Sequence, residues 1–434
     1  MSRATRPAGR FAALAGLIVG LAAAPAAAQD LAIVGGTVHP VSGPAIEGGT
    51  VLIEGGRISA VGADVEVPVG VRRIDAAGKV VTPGLFDPVS TIGLVEVDLV
   101  RQTRDHSAAG GDDVVAAAFD PLDGLNPNST LIPYNRTYGL TTVATGPTGG
   151  LIGGQAAVID LWGTTPEEMV VKRGASMQAY FNEGAFRASG GARGAAALKL
   201  REVLEDARFW SRRRGAFDRG ESRELSESRL DMAALQPVLE GSMPLVIFAQ
   251  RASDILAALG IAAEYGVRPV ISGGTEAWMV AERLAAADVP VILKPLANSP
   301  EEFEQIGARS DNAALLHEAG VDVAVSAYDS HRAHAILQEA GNAVRFGLPW
   351  EAALRAVTLA PAEIYGVEET LGSLEPGKAA NVVVWSGDPF ETTSLAETVV
   401  IRGRVVPEWS RQRELLERYR SLEAPRPAYG GASR

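Results

Sequence analysis

The chain contains no cysteine and only five histidines in 434 residues. The first absence excludes disulfides, thiolate metal sites and cysteine nucleophiles. The second leaves so few imidazoles that each can be weighed singly. Basic residues are also short, 40 against 52 acidic, for a net charge of −12. That balance disfavours nucleic acid and anionic membrane surfaces as partners. Despite 48 glycines there is no phosphate-binding loop, because the lysine-serine pattern that completes one is missing. Long apolar runs are scarce as well. Residues 11–24, FAALAGLIVGLAAA, are the longest, and no second such run follows.

That run sits in the pattern of a secretory signal. Arg3, Arg6 and Arg10 precede it, and Ala26-Ala27-Ala28 offers a small-residue cleavage site before Gln29. The alternative, an uncleaved anchor, would need about 20 apolar residues to span a bilayer. Residues 1–28 are therefore expected to be removed on export. The mature chain would be periplasmic or secreted, without a membrane partner, and would carry 37 basic against 52 acidic residues.

Residues 31–80 consist of short β-type runs punctuated by glycine pairs such as Gly35-Gly36 and Gly55-Gly56. From about residue 84, apolar strands alternate with helical stretches. The clearest units are PLVIFAQ (244–250) followed by a helix with Ser253 as cap and Gly266 as stop, and RPVISGG (268–274) followed by a helix that Thr275 could cap. Further units follow PVILKPL (290–296) and VDVAVSAYD (321–329). This alternation predicts buried parallel strands with helical crossovers, and residues 84–365 leave room for eight such units. A doubly wound open sheet shares the same alternation. Beyond 366 the β character returns in AANVVVWSGD and TVVIRGRVV. The expected organisation is a signal at 1–28, a composite β domain from 29–82 and 367–408, a barrel over 83–366, and a C-terminal helix and tail over 409–434. In that tail, Leu415, Leu416, Tyr419 and Leu422 recur at helical spacing before Pro425, as a packing helix or a partner-binding one.

Residues 83–91 read Pro-Gly-Leu-Phe-Asp-Pro-Val-Ser-Thr. This run resembles the first barrel strand of the amidohydrolase superfamily, which typically reads Pro-Gly-Leu-Ile-Asp-x-His-x-His. The likeness extends through IVGGTV…IEGGRISAVG…IDAAGKVVTPGLFD at one end, and AVTLAPAEIYG with GSLEPGKAANVVVWSGDPFE at the other. It is similar to the imidazolonepropionase-like branch in particular. The resemblance implies an α/β fold, a (β/α)8 TIM-like barrel plus a small β-sandwich domain built from both chain ends. It also implies a divalent metal at the barrel mouth, whose bound water attacks an amide-like C–N bond.

The ligand positions that the resemblance brings are mostly empty here. Val89 and Thr91 stand in the two histidine slots after strand 1, and Gln178 stands where strand 4 would carry lysine. After strand 5, Phe248-Ala249-Gln250-Arg251 keeps the frame without either histidine, and Gly273 takes the histidine slot after strand 6. The strand 8 aspartate alone is kept, as Asp329. One carboxylate does not hold a catalytic metal, which takes three or more protein ligands.

Of the histidines, His39 reads as a surface or turn residue and His317 as a helix-end residue. His106 lies in a polar loop after strand 1, either solvated or in contact with a ligand. His331 and His334 follow Asp329 at a spacing that puts both imidazoles near one helix face. Those three either form a rebuilt Asp/His/His site or simply open a helix. The candidate site is therefore Asp329 and His331 as catalytic groups, with His106, Gln250, Arg251 and His334 as substrate-binding groups and no metal ligand assigned. Zinc or another divalent metal is expected only with such a rebuilt site. Three readings follow: a hydrolase with a rebuilt site, a non-catalytic binder of a small polar ligand, or a structural partner of an active homologue, as a homo- or hetero-oligomer.

Overall fold

A computed structural model describes residues 30–108 and 114–420. The expected export signal and the Pro425 stop lie outside the described residues.

Both ends of the chain supply one sheet. Strands β1 (Leu31–Val38), β2 (Ile46–Glu54), β3 (Arg57–Gly62), β4 (Arg72–Asp75) and β5 (Val80–Pro83) come from the N-terminal part. Strands β14 (Val382–Trp385), β15 (Ala396–Ile401) and β16 (Arg404–Val405) come from the C-terminal part. They order as β16-β15-β14-β5-β1-β2-β3, with β4 beside β1. Antiparallel pairing of β14 with β5, Val382 opposite Pro83, joins the two contributions. One face encloses Leu31, Ile33, Val51, Ile53, Val81, Val382, Val384 and Val400. Trp385, 1% exposed, packs with the barrel's apolar shell and donates from Nε1 to Thr82 Oγ1 at 2.8 Å. Asp160 is a second tie, accepting from Arg402 Nε at 2.5 Å, Thr142 Oγ1 at 2.8 Å and Asn381 Nδ2 at 2.9 Å. This buried carboxylate is paired and hydrogen-bonded on both oxygens, the condition under which a buried charge is tolerated.

The second sheet is an eight-stranded TIM-like barrel: β6 (Leu85–Ser90), β7 (Leu140–Thr145), β8 (Ile152–Asp160), β9 (Val170–Phe181), β10 (Leu245–Ala249), β11 (Pro269–Gly273), β12 (Val291–Leu293) and β13 (Val323–Val325). Seven strands run parallel. β8 is antiparallel to both β7 and β9, which corrects the reading of eight uniform strand-helix units. The physical reason lies in residues 146–151, GPTGGL, where Gly149 and Gly150 have φ of 92° and 71°. A parallel crossover needs a dozen or more residues, so so short a turn must send the chain straight back.

Each strand contributes one residue to a packed layer inside the barrel: Phe86, Ala144, Val158, Ala175, Val246, Val270, Ile292 and Ala324. None is more than 2% exposed. Tyr365 packs with this layer, its ring 6.0 Å from Phe86. Burial at roughly 1.5–3 kcal/mol for each large apolar side chain makes this layer a main anchor of the fold. β13 and β6 meet through side chains: Ser326 Oγ donates to Asp87 Oδ1 at 2.6 Å, and Thr91 N donates to Ser330 Oγ at 2.8 Å.

Local details differ from expectation. The helix Ala252–Tyr265 ends at Gly266 in the left-handed conformation, but its first N–H is taken by Glu276 Oε2 at 2.9 Å, not by Ser253. Thr275 is bonded to Gln250, so the next segment opens as a 3-10 turn, Ala277–Val280, before the helix Ala281–Ala286. The tail helix Arg411–Tyr419 is capped by Ser410 and buries none of its residues. Leu416 and Tyr419 are 62% and 71% exposed, so it does not pack as an amphipathic core helix would.

Candidate functional site

Side chains alternate across a strand, so the residue two beyond each inner-layer position points inward, one level nearer the mouth. That rule selects Gly146 after β7, Ala156 on the reversed β8, Phe248 on β10, Ser272 on β11, Lys294 after β12, and Ser326 then Tyr328 after β13. Irregular pairing of β9 with β8 shifts its phase and brings Gln178 and Tyr180 inward. A cavity of about 410 Å3 opens above this level. Ser90, His106, Gln178, Tyr180, Lys294 and Tyr328 line it, with Asp98, Asp329 and Ser330 at its edge. A larger recess of about 850 Å3, between Trp278, Arg309 and Phe346, contains no residue of the strand ends. The barrel-mouth cavity is the better candidate because positioned polar groups converge on it.

Tyr328 decides the geometry. It has φ of 50°, a conformation unusual for a bulky residue. Its phenol crosses to the end of β11, 2.7 Å from Ser272 Oγ, where it accepts from Gly273 N at 2.8 Å and donates to Ile292 O at 3.1 Å. Burial holds this phenol above its ordinary range, so it stays protonated. The Phe248 ring lies 6.2 Å from that of Tyr328 and 6.1 Å from that of Tyr180. Tyr180 donates to Pro147 O at 2.9 Å. Three aromatic rings thus fill the space toward which strands 4, 5 and 8 point.

Glycine at 273 belongs to the same arrangement. Its φ is 89°, and a Cβ there would stand 2.8 Å from Gln250 Oε1 and 3.1 Å from the Phe248 ring. Gln250 Oε1 in turn accepts from Thr275 Oγ1 at 2.7 Å and Thr275 N at 3.2 Å. The substitutions read singly in the sequence therefore interlock in space.

Asp87 is fully buried, with Oδ1 accepting from Ser326 Oγ at 2.6 Å and Val89 N at 3.2 Å, and Oδ2 without a partner among the described residues. Burial pushes its carboxyl up to about 7, against the opposing hydrogen bond from Ser326.

The sequence-derived candidates divide. Asp329 and His106 reach the cavity; His331, His334, Gln250 and Arg251 do not line it. Asp329 accepts from the backbone of His331 at 3.0 Å and Arg332 at 3.1 Å, and pairs with Arg332 Nε at 3.0 Å. Burial pushes its pKa up, but those hydrogen bonds outweigh it and hold it below the usual range. It is a turn cap, and the inward position after strand 8 belongs to Tyr328, one residue earlier. His331 turns to Glu96 O at 3.0 Å and Asp98 Oδ2 at 3.4 Å. His334 donates from Nδ1 to Asn135 Oδ1 at 2.9 Å and stacks 4.1 Å from Tyr138. The Asp/His/His arrangement is therefore not formed. Arg251 is exposed and makes no ion pair with Glu276, whose oxygens accept from Ala252 N and Gly307 N. His106 is half-buried, its Nδ1 has no partner among the described residues, and burial lowers its pKa. Outside the site, His39 packs 4.5 Å from Trp350, and His317 is exposed at a helix end.

Lys294, Tyr180 and Tyr328 were not singled out in the sequence. For Lys294 and Tyr328 the signal was available: they fall two and four residues beyond the buried Ile292 and Ala324. For Tyr180 it was hidden by the irregular pairing of β9 with β8.

A divalent metal implied by the family resemblance does not fit these residues. Val89, Thr91, Gln178, Phe248, Gln250 and Gly273 offer neither imidazole nor carboxylate, and the Phe248 ring lies between those of Tyr180 and Tyr328. Among the described residues no three histidine, aspartate or glutamate side chains gather as a metal site would require. The polar groups that line the cavity are hydroxyls, an amide, one lysine, the His106 imidazole and the carboxylates of Asp98 and Asp329, a set suited to binding a polar molecule.

A sequence profile described as the amidohydrolase family matches residues 220–406. The crystal structure of an amidohydrolase from Thermotoga maritima MSB8 is 31% identical with a TM-score of 0.80, covering 88% of this chain and 100% of that one. Amidohydrolase tasK of Hapsidospora irregularis is 25% identical over 389 residues, 82% of this chain. The chain spans only 39% of that curated relative's length. A prolidase complexed with N-methylphosphonate-L-proline, 18% identical at a TM-score of 0.54, covers 87% of this chain and 99% of its own; it shares the fold alone. An eight-stranded barrel, a sheet built from both chain ends and a full-length relative at 31% identity lead to one conclusion: the chain belongs to the amidohydrolase family.

Proposed function

We propose that this protein is an exported member of the imidazolonepropionase-like branch that binds a small polar ligand in the barrel mouth and does not carry out metal-dependent hydrolysis of C–N bonds. One observation carries this reading: the Tyr328 phenol, bonded to Ser272 and Gly273, and the Phe248 ring beside it fill the space in which strands 5, 6 and 8 would present metal ligands. Neutral phenols and a glycine cannot lower the pKa of a bound water as a divalent cation does. The cavity above them, about 410 Å3, is within the range of small-molecule sites.

Elemental analysis of protein purified without chelator tests this. The expected result is far less than one equivalent of zinc, manganese or iron, no change of Tm in EDTA, and no turnover of cyclic amides or ureides. Stoichiometric metal whose removal lowers Tm would overturn it.

A second reading, association with an active homologue, draws support from the tail helix, where Leu416 and Tyr419 stand open. It predicts that a homologue carrying the missing histidines co-purifies from the native source.

A further inference from the structure

We infer that Lys294 makes the barrel-mouth cavity a site for a carboxylate-bearing small molecule. This rests on the reading of the cavity as a binding site and adds the chemistry of its ligand.

Lys294 follows β12 directly, on the same inward phase as Ile292, which lies in the barrel's inner layer. It is half-buried, it lines the cavity, and among the described residues its ammonium makes no hydrogen bond or ion pair. A lysine with no partner is ordinarily extended into solvent, where hydration of the ammonium is complete. Placing it within a walled cavity costs solvation that a bound anion restores.

The charges of the described residues around it leave it free. Asp329 is engaged by Arg332 at 3.0 Å. Asp98, 68% exposed at the rim, stands 3.4 Å from His331 Nδ1. Glu339 acts on Lys294 only through its field, and its Oε2 accepts from Leu296 N at 2.7 Å. The neighbouring phenols of Tyr180 and Tyr328 are kept protonated by burial and spend their hydrogens on Pro147 O and Ile292 O. Among the described residues, Lys294 is thus an unpaired cation of the cavity.

Two further groups have unused capacity. Ser90 Oγ accepts from Ile92 N at 3.1 Å, and no acceptor for its hydrogen is found among the described residues. His106 Nδ1 is buried and unpartnered. An ammonium, a hydroxyl and an imidazole edge lining one cavity suit a carboxylate, with the aromatic rings of Tyr180 and Tyr328 to receive its apolar part.

Acetate and benzoate are the probes, titrated into the full chain while the Lys294 side-chain signal is followed by NMR; acetamide and benzamide serve as neutral controls. The expected result is a saturable shift for both carboxylates, at least about ten-fold weaker for the amides, and a loss of roughly ten-fold or more in Lys294→Met with partial recovery in Lys294→Arg. Equal binding of acid and amide, an unchanged response in Lys294→Met, or no saturable shift with either carboxylate would overturn it. The same sample reports separately on the parent reading. Benzamide bound as tightly as benzoate sinks the role of Lys294 and leaves the binding cavity, whereas stoichiometric metal with turnover sinks the parent reading whatever Lys294 does.

Discussion

Tyr328 Oη lies 2.7 Å from Ser272 Oγ, so a side chain that leaves strand 8 terminates at the end of strand 6. In a barrel whose chemistry depends on what gathers at the strand ends, that span occupies the centre of the mouth. The phenol also satisfies Gly273 N, and through φ of 50° the backbone of Tyr328 is bent to permit it.

Removing the hydroxyl should be costly. Tyr328→Phe keeps the ring against Phe248 but leaves the buried Gly273 N–H and Ser272 without their partner. A loss of about 1–3 kcal/mol is expected, read as a lower urea midpoint at unchanged m-value. A midpoint equal to wild type would show that the phenol is not what secures the end of β11.

Gly273→Ala tests the interlock. The new Cβ meets Gln250 Oε1 at 2.8 Å at a φ of 89°, so strain and overpacking act together, and about 1–3 kcal/mol should be lost. Adding Gln250→Ala should recover only the part due to the clash, because the backbone strain remains. Additive losses in the double variant would show that the two residues are independent.

Asp87 gives stability an unusual pH dependence. Its folded pKa, about 7, lies above its ordinary 3.8. Between those values the unfolded chain has lost the proton that the folded chain retains, so this group's contribution falls as pH rises through that window and is flat above it. The full difference is on the order of 4 kcal/mol as an upper bound. Asp87→Asn removes the titration, so its Tm relative to wild type should climb from pH 4 to pH 7, whatever constant offset the amide introduces. A difference independent of pH would place the Asp87 pKa near that of an ordinary carboxyl.

His334 works in the opposite sense. Burial lowers its pKa from 6.5 to about 4. Between these values the unfolded chain binds a proton that the folded chain does not, so stability present above pH 6.5 is lost as pH falls toward 4. His334→Phe should therefore gain on wild type as the solution is acidified through that window. An NMR titration showing the imidazole protonating near 6.5 would contradict the packed, neutral ring seen against Tyr138 and Asn135.

The barrel was legible because apolar strand runs and helix signals repeat along the chain, and the sheet from both ends because β-type runs flank the repeat. The reversal of β8 was concealed by its composition: IGGQAAVID is as apolar as a parallel strand, and only the brevity of GPTGGL tells the direction. Asp329 was read as the surviving strand 8 ligand because a sequence displays residue types without phase. One residue decides which side chain faces inward, and the phase set by Ala324 and Ser326 gives that position to Tyr328. The five histidines were correctly few, yet where His331 and His334 point depends on Glu96 and Asn135, more than 190 residues away.

By itself the sequence determined the family frame, the absence of thiol chemistry and the loss of imidazoles at the expected strand ends, since these are matters of which residues stand in which order. Tertiary structure alone decided that Phe248, Gly273 and Tyr328 form one interlocked filling, and that, among the described residues, Asp87 is a buried carboxyl with one oxygen unpartnered and Lys294 faces the cavity without a partner. Those properties come from side-chain phase, burial and contacts between strands distant in the chain, which linear order does not carry.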